Sequence, residues 1–243
     1  MAGILVLQNE HHLGDHIINF IFFYKIKDYI EENNIIIHYH CLEKYHNNLV
    51  EFNCSKNIII KDWENIGYVL WQETFPNPYD YIEGKLCRMF NIFLKNAAIP
   101  LLVNSFEYQD PELFTRYEKL DDKYKNIDIL VINSTPLSGQ YDYNKDIWDD
   151  FIIRLSQKFS VAATQKVNDN ILSLHDMSVK NIAALALKVK KIIAINTGPS
   201  IPLYNTDILN NVEVIYLFGG SGHHKTRKFK QLSKLKELSF LLY

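Results

Sequence analysis

The chain has 243 residues, 47 % of them hydrophobic and 22 % charged, enough to bury one large core or two small ones and incompatible with a disordered segment. A formal net charge of −2 provides no overall field for nucleic acid or for an anionic surface. Cys41, Cys54 and Cys87 are too few and too scattered for a disulfide framework or a zinc site, which points to a reducing, cytoplasmic setting.

In chain order, Gly3–Gln8 reads as a short buried strand. The segment NEHHLGDH leads from it into an amphipathic helix from Ile17 to about Glu32. The most apolar stretch, Ile17–Ile30, is broken by Lys25, Lys27 and Asp28 and is too short and too charged to cross a bilayer. A strand over Ile35–His40, a helix around Leu42–Phe52, strands over Asn57–Lys61 and Tyr68–Gln72, and a helix from about Tyr79 to Lys95 complete the first half. Strands alternating with helices across short loops imply a mostly parallel sheet with right-handed crossovers.

Residues 100–126, punctuated by Pro100 and Pro111 and carrying the charged run YEKLDDKYKN, mark a boundary. We place the domains at 1–110 and 111–243. The second half repeats the alternation with strand Ile127–Asn133, a polar loop, helix Ile147–Lys158, and short strands near Ser160–Thr164 and Ile171–Leu172. A helix follows with Ser178 as N-cap and Ile182, Leu185, Ala186 and Val189 on one face. Phe229–Leu242 reads as a closing helix. Asn53 and Asn133 have the form of glycosylation acceptors, without the secretory leader that would give them meaning.

The most informative stretch is Lys191–Ser200, KIIAINTGPS. Ile192, Ile193, Ala194 and Ile195 form a strand apolar on both faces. It breaks into an open turn in which Gly198 exposes backbone, Pro199 fixes the exit, and Thr197 and Ser200 offer hydroxyls. Loops past the carboxyl ends of parallel strands are where open α/β sheets bind ligands. A second apolar strand then ends in the glycine-rich FGGSG. The order of helix, strand, TGPS loop, strand and FGG loop resembles the C-terminal signature of the glycosyltransferase family that contains the bacterial ADP-heptose transferases. Asn196 stands where that family has Asp, and Ile201–Tyr204 occupy the place of its histidine.

The resemblance implies a GT-B-like α/β fold, two Rossmann-like domains with mostly parallel sheets facing a central cleft. It implies an acceptor on the first half and a nucleotide-sugar donor on the second. Asp15 of LGDH matches the family's Gly-Asp before the first helix, which makes it the expected base for the acceptor hydroxyl. Gly14 and His16 would lie against the acceptor. At a helix N-terminus the macrodipole and backbone N–H groups should lower the Asp15 pKa, a good anion but a moderate base unless desolvated. The plain alternative is that Asp15 caps its helix.

Donor contacts are expected from Ser134, Thr135 and Ser138, from Asn196, Thr197, Gly198 and Ser200, and from Gly219, Gly220 and Ser221. Lys225, in the basic run HHKTRKFK, would meet the diphosphate charge. The resemblance implies no resident metal or cofactor. His12 and His16 have the i, i+4 spacing of metal ligands, but Leu13-Gly14 argues against one continuous helix across them. The expected partners are a nucleotide sugar and a glycan or lipid-linked acceptor, with peripheral membrane contact but no nucleic acid. A second reading is a non-catalytic binding or scaffold protein that keeps the fold. A small methyltransferase-type enzyme fits less well, because the first loop lacks a glycine-rich cradle.

Overall fold

The computed structural model describes residues 3–70, 82–104, 120–137, 141–219 and 235–238. The chain divides into two compact units, Met1–Tyr108 and Gln109–Tyr243.

Unit 1 contains strand β1 (Ile4–Asn9), helix α1 (Leu13–Glu32), β2 (Ile36–Cys41), a 3₁₀ turn at Glu43–Tyr45, and α2 (His46–Phe52). β3 (Ile58–Asp62), β4 (Tyr68–Val69) and α3 (Ile82–Asn96) follow. Its sheet has the order β3-β2-β1-β4, and every pairing is parallel. α1 differs from the amphipathic expectation. Ile17, Ile18, Phe20, Ile21, Phe22 and Phe23 are all buried, covering the full circumference. The reason is that α1 lies between two partners. Phe20 and Phe23 meet Tyr39 of β2 edge-on, and Phe22 stacks on Phe90 of α3 with ring centroids 4.0 Å apart.

Both long helices of unit 1 end in the same way. Ile35 N–H reaches Ile30 O and Ile99 N–H reaches Leu94 O, each at 2.8 Å, around Asn34 (φ 52°) and Ala98 (φ 54°). These are Schellman closures, normally built on glycine.

Unit 2 contains β5 (Ile129–Ile132), α4 (Lys145–Ser156), β6 (Val161–Ala163), β7 (Leu172–Ser173), α5 (Val179–Ala186) and β8 (Lys191–Ile195). A 3₁₀ helix (Gly198–Tyr204), α6 (Thr206–Asn211), β9 (Val214–Phe218) and β10 (Leu235–Leu238) follow. The order is β10-β9-β8-β5-β6-β7, again all parallel. Trp148 and Ile152 of α4 bury themselves on Val131, Val161, Ile193 and Phe218. Ser178 caps α5 by accepting the Asn181 N–H, as expected from the sequence.

Two expectations fail here. The predicted helix at Phe229–Leu242 contains strand β10 at Leu235–Leu238, paired with β9. The TGPS turn is not open: Gly198 begins a 3₁₀ helix that carries Ile201, Leu203 and Tyr204 into the core.

Candidate functional site

Strand order marks the candidate ligand-binding edge of each sheet. In unit 1 the chain steps from β1 to β2 and β3 on one side, and then returns to β4 on the other. In unit 2 it steps from β5 to β6 and β7, and then to β8 and β9 on the opposite flank. In open parallel sheets such reversals are where a ligand crevice is expected, past the strand carboxyl ends between β1 and β4 and between β5 and β8.

At the unit 1 crevice, Asn9 ends β1 and its side-chain oxygen accepts the His11 N–H at 2.9 Å, pinning the turn. His12, in extended conformation, is the N-cap of α1. Asp15, at the third helical position, reaches back and accepts the His12 N–H at 3.1 Å. The helix therefore starts at Leu13 and includes Gly14, earlier than the sequence suggested. Asp15 does cap its helix, the plain alternative. Its pKa nevertheless moves opposite to expectation. Burial of the half-buried carboxyl raises it, outweighing the His12 N–H and the nearby His11 and His12, which lower it. A carboxylate shifted upward is better suited to accept a proton than one held down by a helix dipole.

His16 does not face solvent. Its ring is fully buried and lies 4.7 Å from that of Tyr45. The Tyr39 hydroxyl accepts from the Asn19 amide at 2.9 Å and the Asn9 amide at 3.2 Å, leaving its own proton for His16 Nδ1 at 2.8 Å. Desolvation, reinforced by His11, takes the His16 pKa down to about 3. His16 thus braces the first turn of α1 from within rather than offering an acceptor-facing surface, a correction to the sequence expectation. Tyr39, Asn9 and Asn19 are the members of this network that sequence reasoning missed. The available signal was Asn19, a polar residue three positions from His16 within an apolar run.

At the unit 2 crevice, the register pairs Ile132 with Ala194 and Ile195 with Phe218, so the three strands end side by side. Past them lie Asn133, Ser134, Thr135, Asn196, Thr197 and Gly219. Ser134 and Thr197 are half-buried and Thr135 is exposed. Gly219 takes φ 74°, a conformation that suits glycine alone at little cost. Asn196 donates its N–H to Phe218 O at 2.8 Å, extending the ladder by one bond.

Two of the expected hydroxyls turn inward. Thr197 Oγ1 donates to Ile195 O at 3.2 Å, and the buried Ser200 Oγ donates to Thr197 O at 2.8 Å. Ser200 therefore holds the 3₁₀ turn in shape. Ser138, Gly220, Ser221 and Lys225 lie outside the described residues.

The sequence had marked Asn133 only as a chance glycosylation acceptor. It is fully buried, with its side-chain oxygen accepting from Thr164 Oγ1 at 3.1 Å and from the Gln165 N–H at 2.8 Å. Its Nδ2 is a buried donor without a partner among the described residues, at the edge where a ligand would arrive. Among the described residues no group of three or more His, Cys, Asp or Glu is placed to hold a metal ion, and no helix is long and apolar enough to cross a membrane.

Two wholly parallel sheets with flanking helices give an α/β architecture of the GT-B kind. The chain aligns with E. coli heptosyltransferase WaaC solved with ADP-2-deoxy-2-fluoro heptose at a TM-score of 0.56 and 9 % identity, covering 97 % of this chain and 92 % of that one. WaaC with ADP gives 0.52 at 9 % identity, covering 88 % and 86 %. The iron-containing dodecameric glycosyltransferase TibC of enterotoxigenic E. coli H10407 gives 0.51 at 11 % identity, covering 89 % of this chain but 58 % of TibC. No family model and no curated protein matches the sequence. The fold is heptosyltransferase-like.

Proposed function

We propose that the protein is a glycosyltransferase that moves a sugar from a nucleotide-sugar donor to an acceptor hydroxyl, with unit 1 on the acceptor side and unit 2 on the donor side. The observation that carries this reading is Asp15: a half-buried carboxylate with a raised pKa, fixed by the His12 N–H at the sheet reversal of unit 1. In that role it takes the acceptor proton as the oxygen attacks the anomeric carbon, and the nucleoside diphosphate departs with the bonding pair. Inversion follows from attack opposite the leaving group.

On unit 2, Ser134, Thr135, Asn196, Thr197, Gly198 and Gly219 are the neutral residues past the strand ends, where the Ser134 and Thr135 hydroxyls and the half-buried backbone at Gly198 suit phosphate oxygens. Asn133 Nδ2 adds a donor beneath them. Gly14 would lie beside the acceptor. Lys225 would supply charge to the departing diphosphate. No metal enters the steps assigned to these residues, and the cysteine usage fits work in the cytoplasm.

The test is a thermal-shift screen of nucleoside diphosphates and nucleotide sugars, followed by transfer or hydrolysis assays on any donor that binds. With that donor, Asp15→Asn should lower turnover by about two to four orders of magnitude while leaving donor affinity unchanged. Full activity in this variant removes Asp15 as base.

The second reading, a non-catalytic binding protein on the same fold, is favoured by one observation: Thr197 and Ser200 spend their hydroxyls on backbone carbonyls. Such a protein would be stabilised by a nucleotide without turning it over, or by no nucleotide at all.

A further inference from the structure

One phenolic oxygen ties together the segments on either side of Asp15. Tyr39 lies on β2, an interior strand whose register pairs it with Leu7 of β1 and Ile60 of β3. Its side chain is fully buried, and the rings of Phe20 and Phe23 meet it edge-on with centroids 5.3 and 5.5 Å away. The hydroxyl can therefore move only if the sheet or the helix moves.

That hydroxyl has one proton and two lone pairs, and all three are committed. The Asn9 side-chain oxygen is taken by the His11 N–H, so the amide nitrogen is the end of Asn9 that faces Tyr39. Asn19 supplies the second N–H. The phenolic proton is then left for His16 Nδ1. Burial keeps both groups in the state this requires: it raises the phenol above its ordinary range and takes the imidazole down to about 3.

The three partners bracket Asp15 along the chain. Asn9 ends β1 and pins the turn at His11 ahead of it, His16 follows it directly, and Asn19 lies one helical turn further on. The carboxyl is itself held by the backbone of this turn, at His12. Two atoms of the network, His16 Nε2 and Asn19 Oδ1, are buried without a partner among the described residues. Hydrocarbon packing would avoid that cost, so what the network contributes is placement rather than stability.

We propose that Tyr39 is a positioning residue: its hydroxyl, acting through Asn9 on one side and His16 on the other, sets where the Asp15 carboxyl meets the acceptor hydroxyl. Fully buried, Tyr39 neither touches the acceptor nor gives up its proton. The role deepens the transfer reading and rests on Asp15 as the base.

The experiment compares Tyr39→Phe and Asn9→Ala with the parent as full chains, using the donor found in the thermal-shift screen. Each should lower kcat by about tenfold to a hundredfold and leave the donor KM unchanged, because unit 2 is untouched. In an Asp15→Asn background, Tyr39→Phe should lower the residual turnover no further, since a group that acts through Asp15 has nothing left to place. Asn91→Ala, which releases Val103 elsewhere in unit 1, should lower the thermal midpoint and keep kcat. Should Tyr39→Phe not fold, Asn9→Ala carries the same prediction, because it frees the turn at His11 and leaves the phenol bonded to Asn19 and His16. Carbon-13 NMR titration of the Asp15 carboxyl needs no activity. Its pKa, raised in the parent, should fall towards the ordinary carboxylate value in both variants and stay in place in Asn91→Ala. Parent-like kcat in the folded variants, an equal loss with and without Asp15, or an unmoved Asp15 titration overturns the positioning role and leaves Asp15 as base. Full turnover in Asp15→Asn overturns the base itself.

Discussion

Asp15 and His16 are consecutive residues that the same burial drives apart. Desolvation raises the acid and lowers the base, so both are biased towards neutrality. Their effects on stability have opposite signs. Between pH 6.5 and about 3 the unfolded chain binds a proton at His16 that the folded one refuses. Acidification through that window should therefore cost up to about 1.4 kcal/mol per pH unit. Denaturant titrations at stepped pH should show the slope in the parent and a flatter one in His16→Gln.

Asp15 acts in reverse, since its folded pKa lies above 3.8. Its penalty is present at neutral pH and is relieved as pH falls through the folded value. Asp15→Asn should thus melt higher than the parent at pH 7, by about 2–4 °C for each kcal/mol relieved, with the difference closing in acid. A variant that is more stable yet inactive would separate a strained functional carboxylate from a cap. The Gly14-Asp15 pair singled out Asp15 in the sequence as a helix cap or a base, and the capping contact is the part the structure shows. The burial of Asp15 was not legible, because that depends on how α1 enters the core.

The elements were legible where local pattern and tertiary environment agree. β8, apolar on both faces, reads the same alone and in the sheet. β10 does not. Leu235–Leu238 is a helix-forming composition of leucine, lysine and glutamate that pairing with β9 turns into a strand. At a sheet edge such charged residues are tolerated.

Two turn positions carry sharper expectations. Gly67, just before β4, has φ 92°, and a Cβ there would sit 2.4 Å from Val6 O. Gly67→Ala should therefore cost roughly 2 kcal/mol or more, read as a lowered denaturant midpoint. Ala98 is the converse case, a residue with a Cβ in the left-handed closure of α3. Ala98→Gly relieves about 1–2 kcal/mol of strain and gives back part of it as unfolded-state entropy. A net gain on the order of 0.5 kcal/mol is expected in the same assay.

The alternation of strands and helices made the two-sheet architecture legible across the molecule, and the strand reversals then mark where a binding edge is expected in each sheet. Asn133 escaped notice because a buried amide at a strand end has no sequence signature. If unit 2 holds the donor, a nucleoside diphosphate should slow amide hydrogen exchange at residues 133–135 and 196–198 and leave β1 and β2 unaffected. Protection confined to unit 1 would reverse the assignment of the two sides.

The strand order also bears on synthesis. β1 and β5, the earliest strands of their units, are interior strands flanked on both sides. A ribosome releases each of them long before both neighbours exist. β5 ends at Ile132 and its partner β8 begins only at Lys191, so at ordinary elongation rates one apolar flank waits uncovered for roughly 3–12 seconds. That interval is where a nascent chain of this design is most exposed to aggregation and most in need of a chaperone.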